Sequence, residues 1–159
     1  MQAATYPWIL TIDGNCQNEP ADIQKLLSIA ENIHQEHKAI VVGIRKQSDE
    51  PWQRRLLTKI SHRIRQLLLK DDCPDPGCNL KLFPKATFIN IPHFNHMHRF
   101  IPALFKREGY KIINVPVSQY RRERPPKIRF PHHVLSRLSD FFGVMWLNRR
   151  RCRPELKND

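Results

Sequence analysis

Glycine is scarce in this chain, with 5 residues against 13 prolines among 159. That balance argues against long flexible connections and for stiff, irregular joins between short elements. Long apolar runs are also missing. None approaches the roughly 20 residues a spanning helix needs, so the sequence gives no reason to expect a membrane crossing. The start has no basic stretch followed by an apolar core, so no secretory leader is read there. The expected setting is cytoplasmic and reducing, where the four cysteines at 16, 73, 78 and 152 stay unpaired. No internal repeat or low-complexity tract is seen. Acidic residues are few, 15 against 27 Lys and Arg, which leaves a net charge of +12. Such a field attracts polyanions: nucleic acid, anionic lipid headgroups or diphosphates. Before Lys38 there is one basic side chain, Lys25, so the field belongs to the rest of the chain. Length and a hydrophobic share of 40% fit a single domain with an ordinary core.

Tyr6 to Ile12 is short, apolar and β-branched, and reads as a buried strand ending at the turn Asp13-Gly14. Pro20 opens a helix with Asp22 in its first turn, and Ile23, Leu26, Leu27, Ala30 and Ile33 keep helical spacing. Ala39 to Ile44 is a second buried strand. Strand, helix, strand in that order predicts a parallel crossover in an α/β fold. Pro51 to Leu69 reads as a two-faced helix, with Trp52, Leu56, Ile60 and Leu67 on one side and Arg54, Arg55, Arg63 and Arg65 on the other. Asp71 to Asn79 is a loop by its turn residues, followed by a short strand from Leu80 to Phe83. His96 to Arg107 is a helix stopped by Gly109. Lys111 to Val117 is a third long strand, Gln119 to Phe130 a basic proline-broken loop, and Pro131 to Leu147 a last helix.

Several residues carry chemistry. Asp13 follows a buried strand directly, and a carboxylate at a strand's C-terminal end faces the crevice where α/β sheets bind ligands. It can hold a hard divalent cation there; an ordinary Asp-Gly turn is the plainer reading of the same residues. Asp75, in the rigid stretch Asp75-Pro76-Gly77-Cys78, is placed to act as a general base or to make an Asx-type turn. Cys73, Cys78, His93, His96 and His98 suggest zinc. The cysteine spacing is wider than usual, and the last two histidines diverge on the expected helix, so loop and core roles are preferred. Tyr120 to Arg129 is either a phosphate clamp or a solvated charge run. Phe141 to Leu147, followed by Arg149 to Arg151, suits an anionic membrane surface or a core helix with a basic tail.

In order, these pieces resemble the family 2 glycosyltransferases of the dolichol-phosphate-mannose-synthase kind, over about Tyr6 to Arg150. The family's Asp-x-Asp, Gln and Asn-Asp-Pro run is similar to Asp13 through Pro20. Its Gly-x-Arg is matched by Gly43-Ile44-Arg45, and its Asp-x-Gly-Cys-x-Leu-Lys by Asp75 to Lys81. Later matches are His98 to Leu104, Glu108 to Tyr110, Val115 to Val117 and Gly143 to Leu147. The resemblance implies a partial GT-A (Rossmann-like) mixed sheet over 1–130, with a C-terminal interfacial helix and basic tail over 131–159. It implies a nucleotide-diphosphate sugar donor, Mg²⁺ or Mn²⁺, and a polyprenyl or dolichyl phosphate acceptor met from the inner face of the membrane.

By residue match, Asp13 and Gln17 are metal ligands, and Asp75 is the catalytic base. Asp13, Asn15, Gln17, Arg45, Arg122 and Arg124 contact the donor or its phosphates. Asn15 stands where the family has its second acid, and Tyr120 to Phe130 lacks the glycine and serine of the family's phosphate loop. The match also begins just before the metal strand, so the expectation is that the nucleotide-binding opening is absent or supplied by a separate N-terminal half. A catalytically inactive remnant is the second reading. A basic nucleic-acid module is the third and is disfavoured, because only Tyr120 and Phe130 flank the basic loop as stacking faces.

Overall fold

The structure, a computed structural model, describes residues 3–14, 19–33, 38–45, 60, 63–118 and 132–150, with side chains from Ser139 onward in the last helix. The described elements are β1 (Trp8–Thr11), α1 (Pro20–Ile33), β2 (Ala39–Arg45), α2 (63–69), β3 (Lys81–Pro84), α3 (Lys85–Asn90), a 3₁₀ turn (Met97–Arg99), α4 (Ile101–Arg107), β4 (Lys111–Val117) and α5 (His132–Arg149). The strands form one mixed sheet in the order β1-β3-β2-β4. β3 runs antiparallel to both β1 and β2, and β2 runs parallel to β4 from Ala39↔Lys111 to Arg45↔Val117. The fold is therefore α/β.

Side chains alternate across the strands, as period-two geometry demands. Ile9, Ile40, Val42, Phe83 and Ile112 face the side covered by α3, α4 and α5. Leu10, Val41, Leu82, Val115 and Val117 face α1, which buries Leu26 and Ala30 against them. Most of the expected elements are present, with shifts at the ends. The helix expected over His96 to Arg107 divides into the 3₁₀ turn and α4, and it stops at Gly109 as expected.

The expected parallel crossover is present: β1 and β2 point the same way, joined through α1, with β3 lying between them. Two expectations need correction. β1 is the outermost described strand, and only part of it is buried. Ile9 is buried, while Tyr6 and Ile12 are exposed. Around α2 the expected faces hold only in part. Ile60 and Leu67, expected on the apolar face, are exposed, as are Ile64 and Leu68; Arg63 is exposed as expected, but Arg65 is turned inward with its side chain only 13% exposed. Trp52, Arg54, Arg55 and Leu56 lie outside the described residues.

Arg65 turns inward because Asp71 is there. The Asp71 carboxylate is fully buried, and Arg65 Nη1 meets its Oδ2 at 2.5 Å. Arg65 Nη2 donates to the Arg99 carbonyl at 2.9 Å, and the guanidinium lies 5.8 Å from the Phe100 ring centroid. Burial pushes the Asp71 carboxyl up from its ordinary value, against the lowering pull of Arg65. A buried charge that loses its partner is costly, so Arg65→Ala is expected to cost about 3–5 kcal/mol near neutral pH. The sign with pH follows from the raised carboxyl. The folded variant holds a proton that the unfolded chain releases, so its deficit should shrink as pH falls from neutral towards the ordinary carboxylate range. Denaturant melts of both proteins at several pH values check this; a deficit that grows on acidification would contradict it.

Candidate active site

β1, β2 and β4 end at one rim of the sheet, and β3 begins there. The rim collects Asp13 after β1, Arg45 at the end of β2, Ser118 after β4 and the loop 71–80 leading into β3. The carboxyl ends of parallel strands are where open α/β sheets bind ligands. α1 is tied to this rim. The Asp22 carboxylate accepts the Ser118 N–H at 2.7 Å, and Lys25 Nζ donates to the Pro116 carbonyl at 3.0 Å. The loop is tied to β1 through Thr11 Oγ1, which donates to the Asn79 carbonyl at 2.7 Å.

At the centre is a two-pronged ion pair. Arg45 Nε donates to Asp75 Oδ2 at 2.6 Å and Nη2 donates to Oδ1 at 2.7 Å, while the Arg45 backbone N–H reaches Oδ2 at 3.3 Å. The hydrogen bond to Asp75 is the main cause holding the Arg45 guanidinium above its ordinary pKa, with Asp13 adding a smaller pull. The side chain of Arg45 stays 38% exposed and that of Asp75 12%. Such a half-solvated pair is worth on the order of 1 kcal/mol, so its main effect is orientation.

Two glycines let this arrangement form. A Cβ on Gly77 would sit 2.9 Å from Arg45 Nη2. A Cβ on Gly43 would sit 3.1 Å from both Cys78 Sγ and the Leu80 carbonyl oxygen, which itself accepts the Gly43 N–H at 2.8 Å.

Beneath the loop lies Lys81, which in the sequence is marked only as the last residue of the Asp75 to Lys81 match. Its side chain is 1% exposed, on the same face of β3 as Phe83. Its ammonium donates to the carbonyls of Pro76 and Cys78. Burial lowers its pKa to about 8. The available signal was the alternation Leu80, Lys81, Leu82, Phe83, which sends Lys81 inward with Phe83.

The structure thus brings together three of the expected groups, Asp13, Arg45 and Asp75. Asn15, Gln17, Arg122 and Arg124 lie outside the described residues. Asp13 is a donor of the right kind for a hard cation, but such ions take six or more oxygens. Among the described residues no three His, Cys, Asp or Glu side chains converge on a metal position. The zinc idea gains no support from this, and Cys73 and Cys78 are both buried. No helix among the described residues is long and apolar enough to cross a membrane.

Burial lifts the Cys73 thiol to about 12 and raises the Cys78 thiol as well. The thiolate at Cys73 is then about a thousandfold scarcer than for an ordinary thiol. Alkylation near pH 8, read by peptide mass spectrometry, should leave Cys73 and Cys78 unmodified in the folded chain and modify both in denaturant. Fast labelling of Cys73 without unfolding would contradict its placement.

No family model matches the chain. Among curated proteins it is similar to undecaprenyl-phosphate 4-deoxy-4-formamido-L-arabinose transferases. It is 25% identical to that of Edwardsiella ictaluri over 115 residues, which is 72% of this chain and 34% of the relative. It is 27% identical to that of an Enterobacter species over 115 residues, with the same coverage of 72% and 34%. It is also similar to the dodecaprenyl-phosphate galacturonate synthase of Rhizobium johnstonii, at 26% identity over 149 residues, 92% of this chain and 43% of the relative. The chain spans about a third of the length of the first two relatives and under half of the third. All three are polyprenyl-phosphate sugar transferases by name.

Proposed function

We propose that this chain forms the later part of a GT-A-type family 2 glycosyltransferase that moves a sugar from a nucleotide-diphosphate donor to a polyprenyl phosphate. The observation that carries the reading is the Arg45–Asp75 pair on the carboxyl rim of the parallel strands, beside Asp13. An arginine fork that binds a carboxylate also fits a phosphate. The acceptor phosphate takes one or both prongs of Arg45, and Asp75 is then free to accept the acceptor's proton. The acceptor oxygen bonds to the sugar's anomeric carbon as the bond to the nucleoside diphosphate breaks. Mg²⁺ or Mn²⁺, held by Asp13 with Asn15 and Gln17, would supply positive charge for the donor diphosphate. Arg122 and Arg124 are proposed as further phosphate contacts. The relatives' names support the acceptor class. Their greater length supports a nucleotide pocket supplied by a further segment, and a strand from such a segment would extend the sheet at β1.

Assay of transfer from a panel of nucleotide sugars to undecaprenyl phosphate tests this, with an opening segment from a relative added where needed. Asp75→Asn is expected to reduce turnover by about a hundredfold or more. Undiminished turnover in Asp75→Asn would remove Asp75 as the base.

A lipid acceptor requires a surface that meets the membrane, and we assign this to α5 with α2. On α5, Val144 is buried and Phe141 and Met145 pack on the core, while Phe142 and Trp146 are each 57% exposed. Arg150 lies over the Trp146 ring at 5.0 Å. α2 lies alongside, with Asn148 donating to the Leu69 carbonyl at 3.5 Å, and it shows Ile64, Leu67 and Leu68 to the outside. Exposed apolar bulk beside arginines suits anionic lipid. Removing α5 would also remove core packing, so the clean variant is Phe142→Ser with Trp146→Ser. It should sediment at least tenfold more weakly with phosphatidylglycerol vesicles and keep its melting temperature within a few degrees. Equal sedimentation would assign docking elsewhere.

A further inference from the structure

The turn Asp75-Pro76-Gly77-Cys78 closes with the Cys78 N–H on the Asp75 carbonyl at 3.2 Å. Proline at its second position is compatible with either a type I or a type II turn. The two forms differ by a rotation of about 150° in the central peptide, which reverses the Pro76 carbonyl. Type II needs a positive φ at the third position, and Gly77 has none. Gly77 could adopt either form, so its own chemistry does not select the one observed. Lys81 lies directly below, with its ammonium on the Pro76 carbonyl at 3.4 Å and on the Cys78 carbonyl. Reversing the central peptide would take the Pro76 oxygen away from the ammonium. A buried ammonium that loses one of its two acceptors is penalised, so the cation resists the flip.

We propose that Lys81 is a positioning residue: its buried ammonium holds the carbonyls of Pro76 and Cys78, fixes the turn in one form, and so points the Asp75 carboxylate at Arg45. This deepens the reading of Asp75 as the base, on which its catalytic relevance rests, while the geometric claim stands apart from sugar transfer. Lys81 comes from the central strand, so the rigidity of the sheet core is transmitted to a loop at its rim. Asp75, Cys78 and Cys73 from the loop and Arg65 from α2 act electrostatically on Lys81. The pKa of His98, on the 3₁₀ turn, is lowered first by burial, then by Arg99, with Lys81 adding a smaller push.

The test is nitrogen-15 NMR on the whole chain. It reads hydrogen exchange at Arg45 Nε–H and the Cys78 amide, with β2 and β4 amides as the internal reference. In Lys81→Met both signals should exchange at least tenfold faster while the reference amides hold, and Lys81→Arg should restore much of the protection. Protection unchanged in Lys81→Met would overturn the proposal.

If Lys81→Met does not fold, the wild type answers. Burial lowers Lys81 to about 8 and raises both thiols, and His98 is held below its ordinary value. Between about pH 7 and about pH 9.5 the Arg45 Nε–H and Cys78 amide shifts should therefore move together with a midpoint near 8. The Lys81 Cε resonance, followed in the same titration, reports where the ammonium loses its proton; flat Arg45 and Cys78 shifts through that step would equally overturn it. Neither readout involves sugar transfer, so failure here is distinct from failure of the transferase reading.

Discussion

Between β1 and β2 there is room for one strand, and the four residues Lys81–Pro84 fill it, antiparallel to both. Without this strand β1 has no described neighbour, and β2 and β4 would stand as a two-stranded parallel pair, too small to be stable alone. The strand is short but its burial is high: Lys81, Leu82 and Phe83 are nearly inaccessible. Phe83 stacks on Phe88 at 5.2 Å and meets Phe105 at 5.4 Å between ring centroids. Leu82 and Leu80 fill the opposite face against α1. Both hydrophobic layers therefore converge on this one segment.

The same insertion explains the loop before it. For β3 to enter antiparallel between β1 and β2, the chain must arrive at the rim where those two strands end. Residues 70–80 make that approach with left-handed backbone at Lys70 and Asp72. Their polar groups face inward as well as outward. Asp71 is buried and neutralised by Arg65, Asp75 meets Arg45, and Asp72 pairs with Lys106. Each carboxylate thus has its own cation from a different element. An approach route full of charge is tolerable only with such pairing, because unpaired buried charge costs several kcal/mol.

The fork of Arg45 and Asp75 sits at the strand ends. Ile64, Leu67 and Leu68 on α2 and Phe142 and Trp146 on α5 are exposed elsewhere, while Ile12, Leu27 and Ile89 are exposed singly on other parts of the fold. The relatives similar over this stretch are named for polyprenyl phosphates, which carry a phosphate on an apolar tail.

The strands β1, β2 and β4, the start of α1 at Pro20 and the stop at Gly109 were legible in the sequence. Local signals specify them: apolar runs of strand length, a proline at a first helical turn, and a glycine with positive φ after a helix. Asp13, Arg45 and Asp75 could also be picked out, from motif order. Strand order could not. Nothing in Tyr6 to Ile12 tells whether a strand returning some seventy residues later will lie beside it, since that depends on pairing across the sheet. The inward turn of Arg65 depended on finding Asp71 buried, and the role of Lys81 depended on two carbonyls brought over it by a turn. Sequence determined which segments become strands and helices, because those choices are made by neighbours three or four residues away. Tertiary structure decided which charges meet, because pairs such as Arg45–Asp75 and Asp72–Lys106 join segments some thirty residues apart, and only the assembled sheet and its helices bring them within reach.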